Sequence, residues 1–331
     1  MKKQMKIIMF GILLIIGLLI TIAMVGNTYD MTIEEIKINT PNGSLSGVIA
    51  RPKDSQEKLG VILVVHGDGP ATATADGGYK PVWEVMVNEG YAIVSWNKPG
   101  VEGSEGNWLD QDMNDRADEV VAVIDWIKLQ NEFDHNNIGI WGASQAGWVV
   151  PKVVSKRDIH FTIMVSPAIN WIRQGQYFTV SQLRKEGKSE DEINKAILSF
   201  EQEIKDLDSD ITYEAYLETV QEDNFMSEDR FEFVMKNYKG DVTEELKNFN
   251  SPILLILGGH DLNVDPNETR EFYENEISDE ILTVKWIEQT NHQMFKPSMV
   301  DNNIWLSLNY MIVPRQIFVK DYFQAIQDFL E

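Results

Sequence analysis

Ser144 lies in a run of small residues that directly follows a short apolar segment. The segment 138–141 predicts a buried strand, the cluster 142–147 predicts a tight turn, and the apolar residues 148–154 predict a helix. A serine at the turn of such a unit has its hydroxyl exposed on a strained backbone, as a catalytic nucleophile requires. Glycine is usual two residues before and after this serine, where strand and helix backbones pass closely, so Ala146 is a departure from the pattern.

A serine hydroxyl needs a base to take its proton, and an imidazole base works best when a carboxylate fixes its tautomer. His292 is the candidate base because it follows the last predicted strand, where a loop can bring it to Ser144. Asp261 is the candidate acid, just past the preceding strand. Asp265 is the alternative acid, although the proline after it indicates a helix cap. His260 also follows the serine but shares a strand end with Asp261. The other histidines do not follow an acid in the expected order: His66, His135 and His160.

Negative charge that develops on a substrate oxygen needs backbone N–H donors already in position. The turn offers the N–H of Gln145, the residue after the serine. The loop after the predicted strand 60–65 offers the N–H of Asp68, where Gly67 and Gly69 let the backbone approach closely. The alternative for this loop is an ordinary glycine-rich turn.

Strands that alternate with helices must position these residues. The continuous apolar runs predict strands buried on both faces, and an alternating hairpin precedes them. Such alternation predicts a doubly wound sheet, whose active site lies beyond the carboxyl ends of the strands. The predicted strands are 31–40, 44–51, 60–65, 90–96, 138–141, 161–165, 253–257 and 282–287.

The alternation stops between residues 170 and 248, where charged helical sequence predicts an inserted cap. Residues 181–247 contain 19 acidic and 9 basic side chains. Most aromatic residues of the insertion are expected to form its own core, and the rest could line a substrate pocket. These aromatic residues are Trp171, Tyr177, Phe178, Phe200, Tyr213, Tyr216, Phe225, Phe231, Phe233 and Tyr238.

The N-terminus predicts a membrane anchor. Lys2, Lys3 and Lys6 precede an uncharged apolar run, 7–25, that is long enough to span a bilayer as a helix. Secretory signals have shorter apolar regions, and no clear cleavage site precedes Asp30. An uncleaved anchor is therefore favoured over a cleaved signal, which would give a secreted protein. The lysines favour the cytoplasm, so we expect a single membrane pass with the rest of the chain outside the cell.

Composition excludes cysteine chemistry and argues against two kinds of partner. The chain of 331 residues has no cysteine, so it has no disulfide, no thiolate metal ligand and no cysteine nucleophile. Its formal net charge is −23, or −26 without the three N-terminal lysines. A surface this acidic argues against nucleic acid and anionic lipid headgroups as partners. The oligomeric state stays open.

Four features in register resemble the α/β-hydrolase superfamily of serine hydrolases. They are an apolar strand leading into His66-Gly67-Asp68-Gly69, the turn Gly142-x-Ser144-x-Ala146, Gly258-x-x-Asp261 after a late strand, and a terminal Asn291-His292. The loop 97–106 also resembles the glycine-rich loop after the fourth core strand, although Asn97 and Lys98 replace its commoner acidic and basic pair. The likeness is closest to membrane-anchored or secreted bacterial members that resemble esterases and acyl-peptidases.

The resemblance implies an α/β fold with a doubly wound, mostly parallel sheet. To this fold the charged insertion and the apolar N-terminus add an inserted helical cap and an N-terminal transmembrane helix, which lie largely outside the resemblance. The anchor or signal would occupy 1–26, the core 27–169 and 249–331, and the acidic cap 170–248. We expect the membrane to be a partner through the N-terminal helix alone.

The resemblance also implies acyl transfer to water through a covalent acyl-enzyme. Ser144 would attack the carbonyl, His292 would move the proton, Asp261 would orient His292, and the amides of Asp68 and Gln145 would hold the oxyanion. No metal and no organic cofactor is implied. The chain lacks the separate N-terminal propeller of the superfamily's large oligopeptidases, so a small or medium carboxylic ester is the expected substrate. A peptidase or amidase acting on short peptides is the alternative.

Two rival functions remain at this point. One is a non-catalytic surface protein that binds through the acidic cap, which Ala146 and the altered pair Asn97-Lys98 favour. The presence of the three candidate catalytic residues in the expected order counts against it. The other is a perhydrolase or acyltransferase, in which peroxide or an alcohol captures the acyl-enzyme instead of water.

Overall fold

The computed structural model describes residues 2–53, 58–220, 225–300 and 302–331. Residues 1, 54–57, 221–224 and 301 of the predicted anchor, core and cap segments lie outside the described residues.

The described strands form one mostly parallel sheet, which confirms the predicted fold class. The strands are β1 Thr32–Thr40, β2 Gly43–Arg51, β3 Leu59–Val65, β4 Tyr91–Trp96, β5 Phe133–Ala143, β6 Phe161–Val165, β7 Ile253–Gly258 and β8 Leu282–Ile287. Their order in the sheet is β1-β2-β4-β3-β5-β6-β7-β8. The pairs β1–β2 and β2–β4 at one edge are antiparallel, and every pair from β4–β3 to β7–β8 is parallel.

Helices cover both faces of this sheet, because the apolar runs of β3, β4, β6 and β7 must be shielded from water on each side. The α-helices of the described chain are α1 Lys2–Gly26, α2 Lys80–Asn88, α3 Met113–Ile127, α4 Val150–Val154, α5 Trp171–Lys185, α6 Glu190–Asp208, α7 Tyr213–Thr219, α8 Glu228–Asn237, α9 Pro266–Glu276, α10 Pro297–Val300, α11 Asn303–Ile312 and α12 Lys320–Leu330. One core lies between the sheet and α3, α4 and α9, and the other between the sheet and α2 and α12.

The chain between β6 and β7 contains α5, α6, α7 and α8. It has a small core of its own, formed by Leu207, Tyr216, Phe231, Val234 and Tyr238. Helix α5 also brings aromatic side chains over the carboxyl ends of the strands, where they line a cavity described below. Several aromatic residues of this segment therefore face a cavity and are not part of its core.

Helix α1 is long and apolar enough to cross a membrane, a property that a cleaved signal sequence shares. The side chains described in its span 4–26 are not covered by the rest of the protein. At its end, the Nδ2 of Asn27 donates to the carbonyl oxygen of Met311 at 2.9 Å. A Cβ on Gly26 would lie 2.1 Å from the carbonyl oxygen of Ile312, so the end of α1 packs tightly against α11.

Candidate active site

Ser144 lies at the carboxyl end of β5, on a turn with an unusual backbone. Its φ is +57°, a left-handed conformation that is costly for a residue with a Cβ and persists only when the surroundings enforce it. A 3-10 helix over Ser144–Trp148 follows, and α4 begins only at Val150. The helix predicted over 148–154 therefore starts later than expected, with Pro151 in its first turn. Strand, turn and helix follow in the predicted order, with the serine at the apex.

Close packing explains the small residues around this turn. A Cβ on Gly142 would lie 2.9 Å from the Cβ of Ala146, so the glycine leaves the space that the alanine methyl group fills. A Cβ on Gly147 would lie only 2.2 Å from the carbonyl oxygen of Ala168. Alanine at position 146 is thus compatible with the turn, and the strict requirement for glycine falls on 142 and 147.

His292 and Asp261 lie side by side, as the sequence predicts. The Nδ1 of His292 lies 2.7 Å from Oδ2 of Asp261, whose side chain is almost fully buried. The other carboxylate oxygen accepts the N–H groups of Asn263 and Val264 at 2.8 and 3.0 Å. These bonds fix the carboxylate, and an Nδ1–H donated to it leaves Nε2 of His292 with a free lone pair. His292 and Ser144 line the same cavity.

The alternative acid has another role. Asp265 is the N-cap of α9, where its carboxylate accepts the N–H groups of Asn267 and Glu268. The carboxyl group that contacts His292 belongs to Asp261.

The remaining histidines are bound elsewhere. His66 is buried, its Nε2 lies 2.7 Å from the carbonyl oxygen of Trp96, and burial together with the charge of Lys98 lowers its pKa to about 3. His135 contacts the carbonyl oxygen of Gln130. His160 packs against Phe161, and His260 lines a different hollow from His292.

The loop that carries Asp68 is held by buried cations. The ammonium of Lys98 donates to the carbonyl oxygens of Gly67 and Gly69 at 2.6 and 2.8 Å. The guanidinium of Arg116 donates to the carbonyl oxygen of His66 at 2.7 Å. Burial and the nearby charge of Arg116 lower the pKa of Lys98 well below its usual range. Each backbone carbonyl bound in this way fixes one peptide plane of the loop.

This arrangement leaves one backbone donor free beside the serine. In a trans peptide the C=O and N–H point in opposite directions, so the N–H of Asp68 points away from Lys98. It has no hydrogen-bond acceptor among the described residues. A Cβ on Gly67 would lie 3.3 Å from the Cβ of Ser144, which shows how closely the loop passes the turn. The N–H of Gln145 is at the start of the 3-10 helix, where acceptors within the helix are missing.

The side chain of Asp68 connects this loop to the helical segment above it. Its carboxylate accepts two bonds from Arg230 of α8, at 2.9 and 2.7 Å, and one from Nε2 of Gln145 at 2.9 Å. Burial pushes the pKa of Asp68 upward, but the hydrogen bonds and charge of Arg230 outweigh it and the pKa lies below its usual value. Arg116 in turn donates to Oε1 of Gln145. The chain Arg230–Asp68–Gln145–Arg116 fastens α8 to the turn that holds the serine.

The site also contains Arg116 and Arg230, which the motifs of the sequence did not lead us to expect, and Lys98, which we noted there only as a departure from a motif. Arg116 had a signal, because it falls on the buried stripe of α3 with Met113, Val120 and Val123. A cation on an apolar stripe is retained when it has buried acceptors. Arg230 had no comparable signal, since its partner lies 162 residues away in the chain.

Two cavities meet at Ser144. The first, of about 550 Å³, lies beneath α5, α6 and α8, and the second, of about 420 Å³, lies against α2 and α11. Both are lined by Asp68, Ser144 and Asn263. The first has the aromatic side chains Trp148, Trp171, Phe178 and Phe200 together with Glu203 and Arg230. The second has Tyr79, Trp141, Phe295, Tyr310, Phe318 and Tyr322.

Volumes of this size are typical of small-molecule sites. A carbonyl compound bound at Ser144 could extend one substituent into each cavity. The arrangement can therefore activate a serine hydroxyl, stabilise an oxyanion and hold both sides of an ester or amide.

The chain resembles known proteins in sequence and in fold. The profile of a family described as X-Pro dipeptidyl-peptidase (S15 family) matches residues 43–294. The chain is 26% identical over 141 residues to an uncharacterized protein of Rickettsia prowazekii, covering 42% of this chain and 58% of that protein. It is 24% identical over 153 residues to dipeptidyl-peptidase 5 of Porphyromonas gingivalis, covering 45% of this chain and 22% of that enzyme. The alignments thus span less than two thirds of the length of these relatives.

A solved structure shares the fold over nearly its whole length. The esterase Pf2001 of Pyrococcus furiosus superimposes with a TM-score of 0.58 at 17% identity, covering 91% of this chain and 90% of the esterase chain. At this identity the likeness establishes the α/β-hydrolase fold.

Proposed function

The chain belongs to the X-Pro dipeptidyl-peptidase (S15) family of α/β-hydrolase serine hydrolases, and we propose that it is a serine hydrolase that cleaves carboxylic esters through Ser144, His292 and Asp261. The substrate would be small or medium in size, because the two cavities at Ser144 have about 550 and 420 Å³. The reaction would pass through an acyl-enzyme and need no metal.

One observation carries this proposal. The hydrogen bond of 2.7 Å between His292 and Asp261 lies at the cavity that also contains Ser144, and the serine has the strained backbone of a nucleophile turn. A base held by a buried carboxylate at the same cavity as a serine hydroxyl supports proton abstraction from that hydroxyl. A surface histidine without such a partner would not.

In the first half of the proposed reaction, Nε2 of His292 takes the Ser144 hydroxyl proton while the oxygen attacks the substrate carbonyl carbon. The carbonyl oxygen becomes an oxyanion, which accepts hydrogen bonds from the N–H groups of Asp68 and Gln145. The carbon–oxygen bond to the leaving group then breaks, and His292 gives its proton to the departing alcohol. Asp261 stabilises the imidazolium that exists between these two transfers.

In the second half, a water molecule attacks the acyl-enzyme. His292 accepts a proton from this water, the same amides hold the new oxyanion, and the bond to Ser144 breaks as His292 returns the proton to the serine oxygen. The carboxylic acid leaves and the enzyme is regenerated. The positive charges of Lys98 and Arg116 beside the Asp68 loop favour both oxyanions electrostatically, whereas the charge of Arg230 is paired with the carboxylate of Asp68.

Turnover of a series of p-nitrophenyl esters tests the proposal. The unaltered protein should release p-nitrophenol with saturation kinetics, and Ser144→Ala should remove this activity while its melting temperature stays nearly unchanged. Ser155→Ala is a matched control, since this exposed serine only donates to the carbonyl oxygen of Lys152. Ester turnover that survives in Ser144→Ala would refute the assignment.

Addition of a competing alcohol or of peroxide, with product analysis, separates hydrolysis from acyl transfer.

A second candidate substrate is a short peptide with a free amino terminus. Glu203 of α6 lines the larger cavity together with Ser144, and burial, with a smaller effect of Asp206, raises its pKa. Its carboxylate accepts no hydrogen bond within the described part of the chain. An ammonium group of a peptide would supply that partner. Family membership and the likeness to a dipeptidyl-peptidase also favour this candidate.

The variant Glu203→Gln distinguishes the two substrate classes. A hydrogen bond to a charged group contributes about 1.5–3 kcal/mol, so kcat/KM for dipeptidyl substrates with a free amine should fall about 10- to 100-fold. Hydrolysis of neutral esters and of N-acylated peptides should not change. If the unaltered protein cleaves esters but no peptide, the peptidase candidate is refuted.

We further propose that α1 anchors the protein in a membrane in one pass, with the catalytic domain outside the cell. The length and apolar composition of α1 and the lysines before it support this orientation. Membrane fractionation followed by protease digestion of intact cells tests it, and recovery of the protein without residues 1–26 would show that the segment is a cleaved signal.

A further inference from the structure

Helix α11 exposes a continuous apolar stripe that does not pack against the rest of the protein. Ile304, Leu308 and Met311 follow one another at helical spacing on one face, with Trp305 beside them. They are 75%, 44%, 70% and 49% exposed, respectively. The segment 302–314 contains no charged residue. Outside α1, the other exposed large apolar side chains of the described residues lie apart from this helix: Ile33, Leu129, Phe178, Leu198 and Phe225.

The opposite face of the same helix is occupied. Leu306 and Tyr310 pack against the core beneath the sheet, and the hydroxyl of Tyr310 donates to the carbonyl oxygen of Ala75 at 3.0 Å. Asn309 is buried and bonds to the carbonyl oxygen of Trp305. The inner face therefore holds α11 in place, and the outer stripe does not contribute to the core.

The stripe is continuous with the apolar surface of α1. The end of α1 touches the end of α11, as the bond from Asn27 to Met311 shows. Arg315 ties the junction to the catalytic domain, because its guanidinium donates to the carbonyl oxygens of Gly26 and Thr28, both at 2.6 Å, and pairs with Glu84. The outer stripe thus begins where α1 leaves the domain.

We propose that α11 is an interfacial helix that lies in the outer leaflet of the membrane that α1 crosses, with Ile304, Trp305, Leu308 and Met311 inserted among the lipids. The inference rests on the proposed membrane anchoring. A surface fixed to the end of a membrane-spanning helix meets the bilayer before it meets any other partner. Apolar helices with a tryptophan are typical of this depth. The lack of charge on 302–314 indicates insertion by apolar burial, without attraction to anionic headgroups.

The proposed position of α11 in the membrane also places the candidate active site. Tyr310 lies on the inner face of α11 and lines the smaller cavity together with Ser144 and His292. The bilayer would therefore hold the domain so that this cavity lies close to the membrane surface.

Depth measurements with a nitroxide label test the proposal on the full chain. Because the sequence has no cysteine, single labels can be placed by Ile304→Cys and Met311→Cys without other changes. Leu129→Cys is the matched control, since Leu129 is 78% exposed and follows α3 on the other face of the sheet. Leu14→Cys reports on α1 itself. Each variant is reconstituted into phosphatidylcholine vesicles, and collision rates with oxygen and with a water-soluble nickel chelate give the depth.

Labels at 304 and 311 should lie about 5–10 Å below the lipid phosphates and show a several-fold higher ratio of oxygen to nickel collisions than the label at 129. A label at 14 in lipid with labels at 304 and 311 in water would refute the interfacial helix and leave the anchor intact. Labels at 14, 304 and 311 all in water would refute the anchor as well. Labels at 304 and 311 that are shielded from both reagents and coupled to each other between molecules would show that a second copy covers the stripe, which also overturns the proposal.

Discussion

Replacing Lys98 with methionine would remove the ammonium group that holds the loop beside Ser144. This group is buried and donates to the carbonyl oxygens of Gly67 and Gly69 at 2.6 and 2.8 Å. Methionine fills a similar volume without charge, so the packing against Trp108 should persist. The Gly67–Asp68 peptide would lose the bond that fixes its plane, and the Asp68 N–H would no longer be held toward the proposed oxyanion position.

The size of the effect follows from these contacts. Loss of one oxyanion donor costs about 10²–10³-fold in kcat. KM should change little, because the donor contacts the oxyanion of the transition state more strongly than the carbonyl of the bound ester. Two hydrogen bonds from a charged donor are lost, but so is the cost of burying that charge. We therefore expect the free energy of unfolding to fall by only about 1–3 kcal/mol.

The assay is steady-state ester hydrolysis with parallel urea denaturation. Lys152→Met is the matched control, because Lys152 makes a single bond to Glu245 at 2.7 Å and lines neither cavity at Ser144. It should retain its kcat. Lys98→Arg should recover part of the lost rate, since a guanidinium can also donate to two carbonyl oxygens. A folded Lys98→Met variant with kcat within a few-fold of the unaltered protein would refute the role given to Lys98.

Three further predictions concern the turn, the acid and the buried histidine. Asp261→Asn should lower kcat on the order of 10⁴-fold by favouring the wrong tautomer of His292; a near-normal rate in the ester assay would exclude Asp261 as its partner. Gly147→Ala puts a Cβ 2.2 Å from a backbone carbonyl, so the free energy of unfolding should fall by about 1–3 kcal/mol with a loss of activity, and an unchanged urea midpoint would contradict this. Because burial lowers the pKa of His66 from 6.5 to about 3, the unfolded chain binds more protons between these pH values, and stability should fall as the pH is lowered through this window. His66→Gln should flatten the stability–pH curve there, and an equal slope in denaturation experiments at several pH values would contradict the assignment.

The strands that position the candidate site could be predicted because each is marked by a local pattern in the sequence. The apolar runs that become β3, β5 and β7 each end in the residues that the site uses, and parallel strands bring these ends to one edge. The expected order of serine, acid and histidine along the chain then left few candidates for the acid and for the base. Asp265 could be separated from Asp261 by the proline that follows it, and its carboxylate indeed caps α9.

The supporting cations were harder to predict because their partners are remote or are backbone atoms. Lys98 binds carbonyl oxygens, which every residue has, so no residue type along the chain marks its acceptors. Arg230 meets Asp68 only because the segment between β6 and β7 folds back over the strand ends. The replacement of the usual acidic and basic pair by Asn97 and Lys98 was an argument against catalysis in the sequence. In the structure, Asn97 binds the backbone at Ala73 and Glu102, and Lys98 holds the loop beside Ser144.

The departure at Ala146 also has a physical explanation that one sequence does not provide. Whether a methyl group fits there depends on the distance between the strand and the helix after the turn. Gly142 supplies the missing space on the strand side, and Gly147 makes the close contact with Ala168. The need for small residues around the serine is therefore met by Gly142 and Gly147.

Labelling of the full chain with a fluorophosphonate probe, followed by peptide mass mapping, tests the proposed nucleophile most directly. We predict one adduct, on Ser144, which disappears in His292→Ala and persists in His260→Ala, because His292 lines the cavity of Ser144 and His260 lines a different one. An adduct on another serine, or labelling of Ser144 that does not depend on His292, would contradict the proposed triad.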